Sequence, residues 1–181
     1  MEDSPVRASP AAYLALGFLA ERPAHTYELR ERLRRGLGSL WRVASSQLYA
    51  VLHRLEVEGL VRSATTEGRG AARLVYTLTE RGEAAFWRWA VAPVVRPRDL
   101  RGEFLAKVHF LRRLAPERLP ALLRAEIQCL ERLRERLADA PRISTDDPEV
   151  SRLAASFRLT QVEAALAWLE ATRQAMDKER R

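Results

Sequence analysis

Apolar positions recur with three different rhythms along this chain of 181 residues. Residues 11–20, AAYLALGFLA, are apolar on every side, which predicts a short buried helix. Pro23 in ERPAH stops it. TYELRERLRRGLG resumes with Leu29 and Leu33 one turn apart, Thr26 as the expected N-cap, and Gly36 and Gly38 at the close. SLWRVASS is a connector, and Ser45 is placed to cap a third helix that runs to about Glu58 and ends at Gly59. On it Leu48, Val51, Leu52 and Leu55 share one face at 3.6 residues per turn.

The rhythm then shortens to two. LVRSATT and ARLVYTLT are rich in β-branched residues, and in the second Leu74, Tyr76 and Leu78 alternate with Val75, Thr77 and Thr79. The glycine-bearing EGRGA between them predicts the turn of a β-hairpin. TERGEAAFWRWAV returns to helix, with Thr79 as its cap. PVVRPRD, with two prolines, reads as a linker. Three helical patterns follow. One at 99–114 aligns Leu100, Phe104, Val108 and Leu111, and one at 117–138 aligns Leu119, Leu123, Ile127, Leu130 and Leu137. The third, at about 148–178, is the longest. DAPRISTDDP separates the last two.

The predicted class is therefore mainly α with a small β-hairpin. Helix, helix, helix, hairpin is the order of a winged helix-turn-helix. That domain is expected at 1–92, a linker at 93–98, and a helical dimerisation and effector domain at 99–181.

Composition narrows the function classes. The formal charge is +7 and the pI about 10.4, which suits an acidic partner such as nucleic acid. The charge is spread: 13 Arg against 10 Asp and Glu in 1–92 give +3, and 18 Lys and Arg against 14 acids in 93–181 give +4. Net charge alone thus marks no binding domain, although 25–73 holds 9 Arg against 5 Glu. Cys129 is the one cysteine, so no intrachain disulfide forms, which fits a reducing compartment, and its apolar setting reads as a small core residue. The N-terminus lacks the signature of a signal peptide, and no apolar run is long enough to span a membrane, so a cytoplasmic location and no membrane partner are expected.

The third helix carries the candidate chemistry. Opposite its apolar stripe lie Ser46, Ala50 and His53, flanked by Gln47, Tyr49 and Arg54. Small residues let a helix approach another surface closely, while hydroxyl, amide, imidazole and guanidinium groups meet base edges or phosphates. On the hairpin Arg69 sits in the turn and Arg73 begins the second strand, and arginine suits phosphate and a narrow minor groove. Ser46, Gln47, Tyr49, Ala50, His53, Arg54, Arg69 and Arg73 are thus the candidate contacts to double-stranded DNA. Val57 also faces outward, but two turns further on, and is expected beside a neighbouring element.

HTYELRERL at 25–33, WRVASSQLYAVLHRLEVEGLV at 41–61 and YTLTERGEAA at 76–85 resemble the PadR-like transcriptional regulators, in matching order and spacing. RGEFLAKVHFL at 101–111 resembles, less specifically, the helical C-terminal domain of the larger members. Thr26 departs from the glycine usual before Tyr-Glu-Leu. The resemblance implies recognition-helix roles for Ser46, Gln47 and Tyr49, wing roles for Arg69 and Arg73, a dimer, and repression released by a small ligand.

The last helix independently calls for a partner. Val150, Ala154, Phe157, Gln161, Ala164 and Trp168 follow the spacing of a coiled-coil seam, and Ala155, Leu159, Val162, Leu166 and Leu169 form a second stripe. One stripe serves the chain's own helices, and the other points to a homodimer. An isologous dimer sets two reader helices roughly 34–36 Å apart on a pseudo-palindromic operator. Phe86, Trp87 and Trp89 near the linker are candidates to line a pocket for a small aromatic or hydrophobic effector, with core packing the plainer role.

Two rivals belong to other classes. An enzyme is disfavoured: His25, His53 and His109 lack metal-ligand spacing, GRG at 68–70 sits in a hairpin rather than a phosphate loop, and no nucleophile elbow occurs. No catalytic residue, metal or cofactor is expected. A winged helix devoted to protein–protein contact would tolerate acids on the third helix and need no wing arginine.

Overall fold

The computed structural model describes residues 10–38, 45–66, 73–94, 96–139 and 147–179. These form two compact units, Met1–Val91 with Leu105–Ala115, and Ala92–Phe104 with Pro116–Arg181.

In the first unit α1 spans Pro10–Glu21, β1 Ala24–His25, α2 Thr26–Leu37, α3 Ser45–Val57, β2 Val61–Thr66, β3 Arg73–Leu78, α4 Glu80–Val91 and α5 Leu105–Leu114. The all-round apolar α1 is the centre, buried from Ala11 to Leu19 apart from half-buried Tyr13, and it packs on α2, α3, α4 and α5. The β2–β3 hairpin is antiparallel, pairing Val61 with Leu78 through to Thr66 with Arg73. β1 adds an edge strand, Ala24 opposite Tyr76 and His25 opposite Val75, in the order β1-β3-β2. Two residues carry no legible period, so this third strand is absent from the sequence pattern.

Local chemistry explains most boundaries. His25, not Thr26, caps α2: its Nδ1 accepts from the Glu28 N–H at 3.1 Å, because β1 holds His25 extended and leaves Thr26 as the first helical residue. Gly36 lies inside α2, which closes at Gly38. Gly59 follows α3 with φ of +70°, where a side chain would be strained. Thr79 caps α4 as expected, its hydroxyl accepting from the Gly82 N–H at 3.1 Å. It also donates to the Gly59 carbonyl at 2.8 Å, while the Thr79 N–H donates to Leu60 at 3.1 Å. One residue thereby ties the end of α3, the end of the hairpin and the start of α4. EGRGA lies outside the described residues, as does most of SLWRVASS and DAPRISTDDP.

In the second unit a 3-10 turn at Pro97–Asp99 runs into a π-helical turn at Leu100–Phe104, and a 3-10 turn at Pro116–Arg118 opens α6 at Leu119–Asp139. α7 spans Pro148–Glu179 and packs along α6. Buried Glu126 accepts from the Val94 N–H at 2.8 Å and fixes the entering segment on α6. Cys129 is half-buried, its thiol 3.7 Å from the Val94 carbonyl.

The expected boundary at 93–98, with 99–114 as one helix of the C-terminal domain, is corrected. The run breaks at Phe104, and α5 belongs to the first unit. Phe110 is the reason. Its ring meets Phe18 and Phe86 edge-on at 5.1 and 5.6 Å, and a Cβ on Gly17 would lie 2.4 Å from it. Arg113 adds an ion pair to Glu21 of α1 at 2.6 Å. Burial of an aromatic side chain is worth roughly 1.5–3 kcal/mol, enough to hold a helix of ten residues on this core.

Candidate nucleic-acid interface

α3 divides cleanly. Leu48, Val51, Leu52 and Leu55 are buried against the core, at 6% exposure or less. Ser46, Gln47, Tyr49, Ala50, His53 and Arg54 are all exposed, so the six candidates form one continuous outward face. Arg54 Nε lies 3.8 Å from Glu58 across one turn. Val57 is 74% exposed, so among the described residues no element buries it, contrary to the expectation of a neighbour there.

Position and tilt of this face come from residues not singled out above. The Glu56 carboxylate accepts from the Ser63 N–H at 3.1 Å and from its hydroxyl at 2.5 Å, which ties α3 to β2. Arg32 of α2 donates to the carbonyls of Phe18 and Arg22 and pairs with Glu28 at 2.5 Å, which fixes α2 on the end of α1. The hydrogen bond from Arg32, with the nearby charge of Arg22 adding to it, holds the Glu28 carboxyl below its usual range. Glu28–Arg32 has the i,i+4 spacing of a helix pair, a signal open to sequence reading. Glu56–Ser63 spans a turn and has no such signal.

The fold also brings new residues beside Tyr49. A cavity of about 910 Å³ opens between α2, α3 and β3, lined by His25, Tyr27, Arg35, Tyr49 and Leu74 among others. Tyr27 and Leu74 are exposed, and the Arg30 guanidinium lies 5.1 Å from the Tyr27 ring centre. Tyr76 forms the buried floor, where burial, with Glu56 and Tyr49 adding to it, pushes its phenol up. Arg69 lies outside the described residues. Arg73 opens β3 opposite Thr66, and its side chain lies outside the description.

The aromatic trio is not an open lining. Phe86 is fully buried and Trp89 nearly so; Trp89 stacks on Tyr13 at 4.9 Å, and Lys107 Nζ lies 5.2 Å from its ring. Trp87 is half-exposed, its indole N–H 3.4 Å from Glu83. The effector-pocket expectation for Phe86, Trp87 and Trp89 gives way to core packing, because α5 fills the space beside them with Phe110.

On α7, Val162, Leu166 and Leu169 are buried on α6, whereas Val150, Phe157, Gln161, Ala164 and Trp168 are exposed and Ala154 half-buried. Trp168 still meets the buried Phe104 ring edge-on at 6.0 Å. Among the described residues no group of three or more His, Cys, Asp or Glu is placed to hold a metal, and no helix is long and apolar enough to cross a membrane.

The model of the transcriptional regulator PadR-like family matches residues 15–88. A negative transcriptional regulator PadR of Bacillus subtilis (strain 168) is 26% identical over 177 residues, covering 92% of this chain and 97% of that protein. A probable transcriptional regulator of Mycobacterium tuberculosis (strain ATCC 25618 / H37Rv) is 32% identical over 88 residues, 48% of this chain and 47% of the relative. A crystal structure of Bacillus subtilis PadR in complex with operator DNA has 23% identity and a TM-score of 0.48, over 95% of this chain and 99% of that one. Residues 15–88, which hold the motifs of α2, α3 and the hairpin, thus match the transcriptional regulator PadR-like family, and the chain is similar along most of its length to a PadR regulator.

Proposed function

We propose that the chain represses transcription as a homodimer that binds a pseudo-palindromic operator and is released by a small ligand. α3 lies in the major groove, with Ser46, Gln47, Tyr49, Ala50, His53 and Arg54 as its contact face, and Arg69 and Arg73 carry the wing. The observation that carries this is the clean division of α3, four apolar residues inward and six small or hydrogen-bonding residues outward, with no acid among the six. In this reading the exposed stripe of α7 supplies the dimer contact, with DNA reading in the N-terminal winged helix and dimerisation in the C-terminal helices. Repression is supported by the name of the Bacillus subtilis relative. The location is cytoplasmic, and the chain is a regulator without enzymatic activity.

The test is operator binding to the DNA upstream of its own gene, at matched salt, because phosphate contacts make affinity salt-dependent. Tyr49→Ala and Arg73→Ala each weaken binding by about tenfold, or roughly 1–3 kcal/mol per lost contact, with fold and dimer intact. Unchanged affinity in both variants overturns the assignment and favours a winged helix used for protein contact.

A further inference from the structure

The second unit holds a cavity of about 390 Å³ between the Pro97–Asp99 turn, the C-terminal half of α6 and the middle of α7. Its chemistry is split. Pro97, Leu133, Leu137 and Val162 supply aliphatic surface, half-buried except for the fully buried Val162. Exposed Arg96, Arg98 and Arg158 surround it, and among the described residues no carboxylate lines it.

Some arginines outside the rim are closely paired. Arg22, Arg32, Arg34 and Arg113 each lie within 2.9 Å of a glutamate carboxylate. Of the three rim arginines Arg98 approaches an acid only loosely, at 3.9 Å from Asp99. Among the described residues no carboxylate lies within 4.0 Å of Arg96 or Arg158. Three guanidinium groups with so little local compensation beside an aliphatic floor present unmet electrostatic and apolar demand together.

From this geometry we infer that the cavity binds a short aliphatic carboxylate, its chain on Leu133, Leu137 and Val162 and its carboxylate on Arg96 and Arg158. A guanidinium pairs a carboxylate through two parallel N–H donors, and a charge-assisted bond of this kind is the strong class. Among the described residues no aromatic ring lines the floor, which favours an aliphatic over an aromatic body. The volume lies at the low end of small-ligand pockets, enough for one short chain and too little for a two-tailed lipid. Each buried methylene strengthens binding by roughly fourfold, so affinity rises with chain length until the floor is covered.

The position suits an effector. The turn at Pro97–Asp99 belongs to the segment through which the chain leaves the first unit after Val91 and re-enters it at Leu105. An occupant clamps that segment to α6 and α7, beside Gln161 of the exposed stripe. The effector role rests on the repressor reading above, whereas the binding site does not.

Isothermal titration of the full chain with octanoate, butyrate and octanol tests the site. Octanoate binds saturably, one per chain, and at least tenfold more tightly than either butyrate, which lacks the length, or octanol, which lacks the charge. The Arg96→Gln/Arg158→Gln double variant loses at least tenfold in octanoate affinity with unchanged circular dichroism, and Arg124→Gln on α6 retains it. Absence of saturable octanoate binding, equal binding by the double variant, or tighter binding of hexaglutamate than of octanoate overturns the proposal. Operator binding measured in parallel separates the two readings. A chain that binds octanoate in this pattern but no operator keeps the site and loses the repressor reading. One that binds operator and not octanoate does the reverse.

Discussion

Glu56 and Ser63 are joined twice, the carboxylate of Glu56 accepting from the N–H of Ser63 at 3.1 Å and from its hydroxyl at 2.5 Å. The pair links the last turn of α3 to the first strand of the hairpin. Hydrogen bonds to charged groups are worth about 1.5–3 kcal/mol. Glu56→Ala is expected to lower stability by about 2 kcal/mol in urea denaturation. It also weakens operator binding, because the reader face and the wing lose their fixed relation. Ser63→Ala removes one of the two bonds, and a loss of stability equal to that of Glu56→Ala would contradict this account.

Gly82 has a stricter reason to be glycine than its helix. A Cβ there would stand 1.9 Å from the Leu60 carbonyl oxygen, the acceptor of the Thr79 N–H. In an exposed helix Gly→Ala stabilises by up to about 1 kcal/mol. Here overpacking against backbone reverses the sign, and Gly82→Ala is expected to destabilise by about 1–3 kcal/mol. Thermal melting checks this, and a variant as stable as the parent would show that the α4 start yields easily.

The His109 ring lies between Phe18 and Phe110, at 5.9 and 5.2 Å. Its Nε2 is buried with no hydrogen-bond partner among the described residues. Burial pushes its pKa below the ordinary 6.5, Arg113 adding to the shift and Glu21 opposing it. The unfolded chain therefore binds the proton first as pH falls. The contribution of His109 is intact above 6.5 and is lost as pH drops from there through the folded value. Melting temperature is expected to fall as pH drops below about 6.5, and His109→Gln to flatten that decline. An equal slope in the variant would assign the effect to other groups.

Phe157 is 64% exposed, on the face of α7 opposite the residues that pack on α6. Phe157→Glu should leave the protomer folded and weaken self-association by about 2 kcal/mol or more, roughly thirtyfold in dissociation constant. Sedimentation equilibrium reads this directly. A variant that remains as dimeric as the parent would move the dimer contact to another surface.

Much of this was legible in the chain itself. Leu48, Val51, Leu52 and Leu55 are apolar at helical spacing, and all four are buried. Leu74, Tyr76 and Leu78 alternate, and the strand they predict pairs with β2 over its six residues. Thr79 stands where a helix cap belongs and acts as one. Such features are local: periodicity and capping depend on residues within one or two turns, so the order of residues alone determines them, and with them the outward face of α3.

Other features were decided only when distant segments met. Phe110 looked like one more apolar residue of a C-terminal helix. Its ring closes on Gly17, Phe18 and Phe86, which moves α5 to the first unit and turns Phe86 and Trp89 into core. Glu56 and Ser63 lie on opposite sides of a turn, and Arg96 and Arg158 lie far apart along the chain around one cavity. Long-range packing chooses among many sterically acceptable partners for the same apolar or charged side chain. Periodicity therefore fixed which faces are buried, whereas the tertiary structure determined which residues cover them.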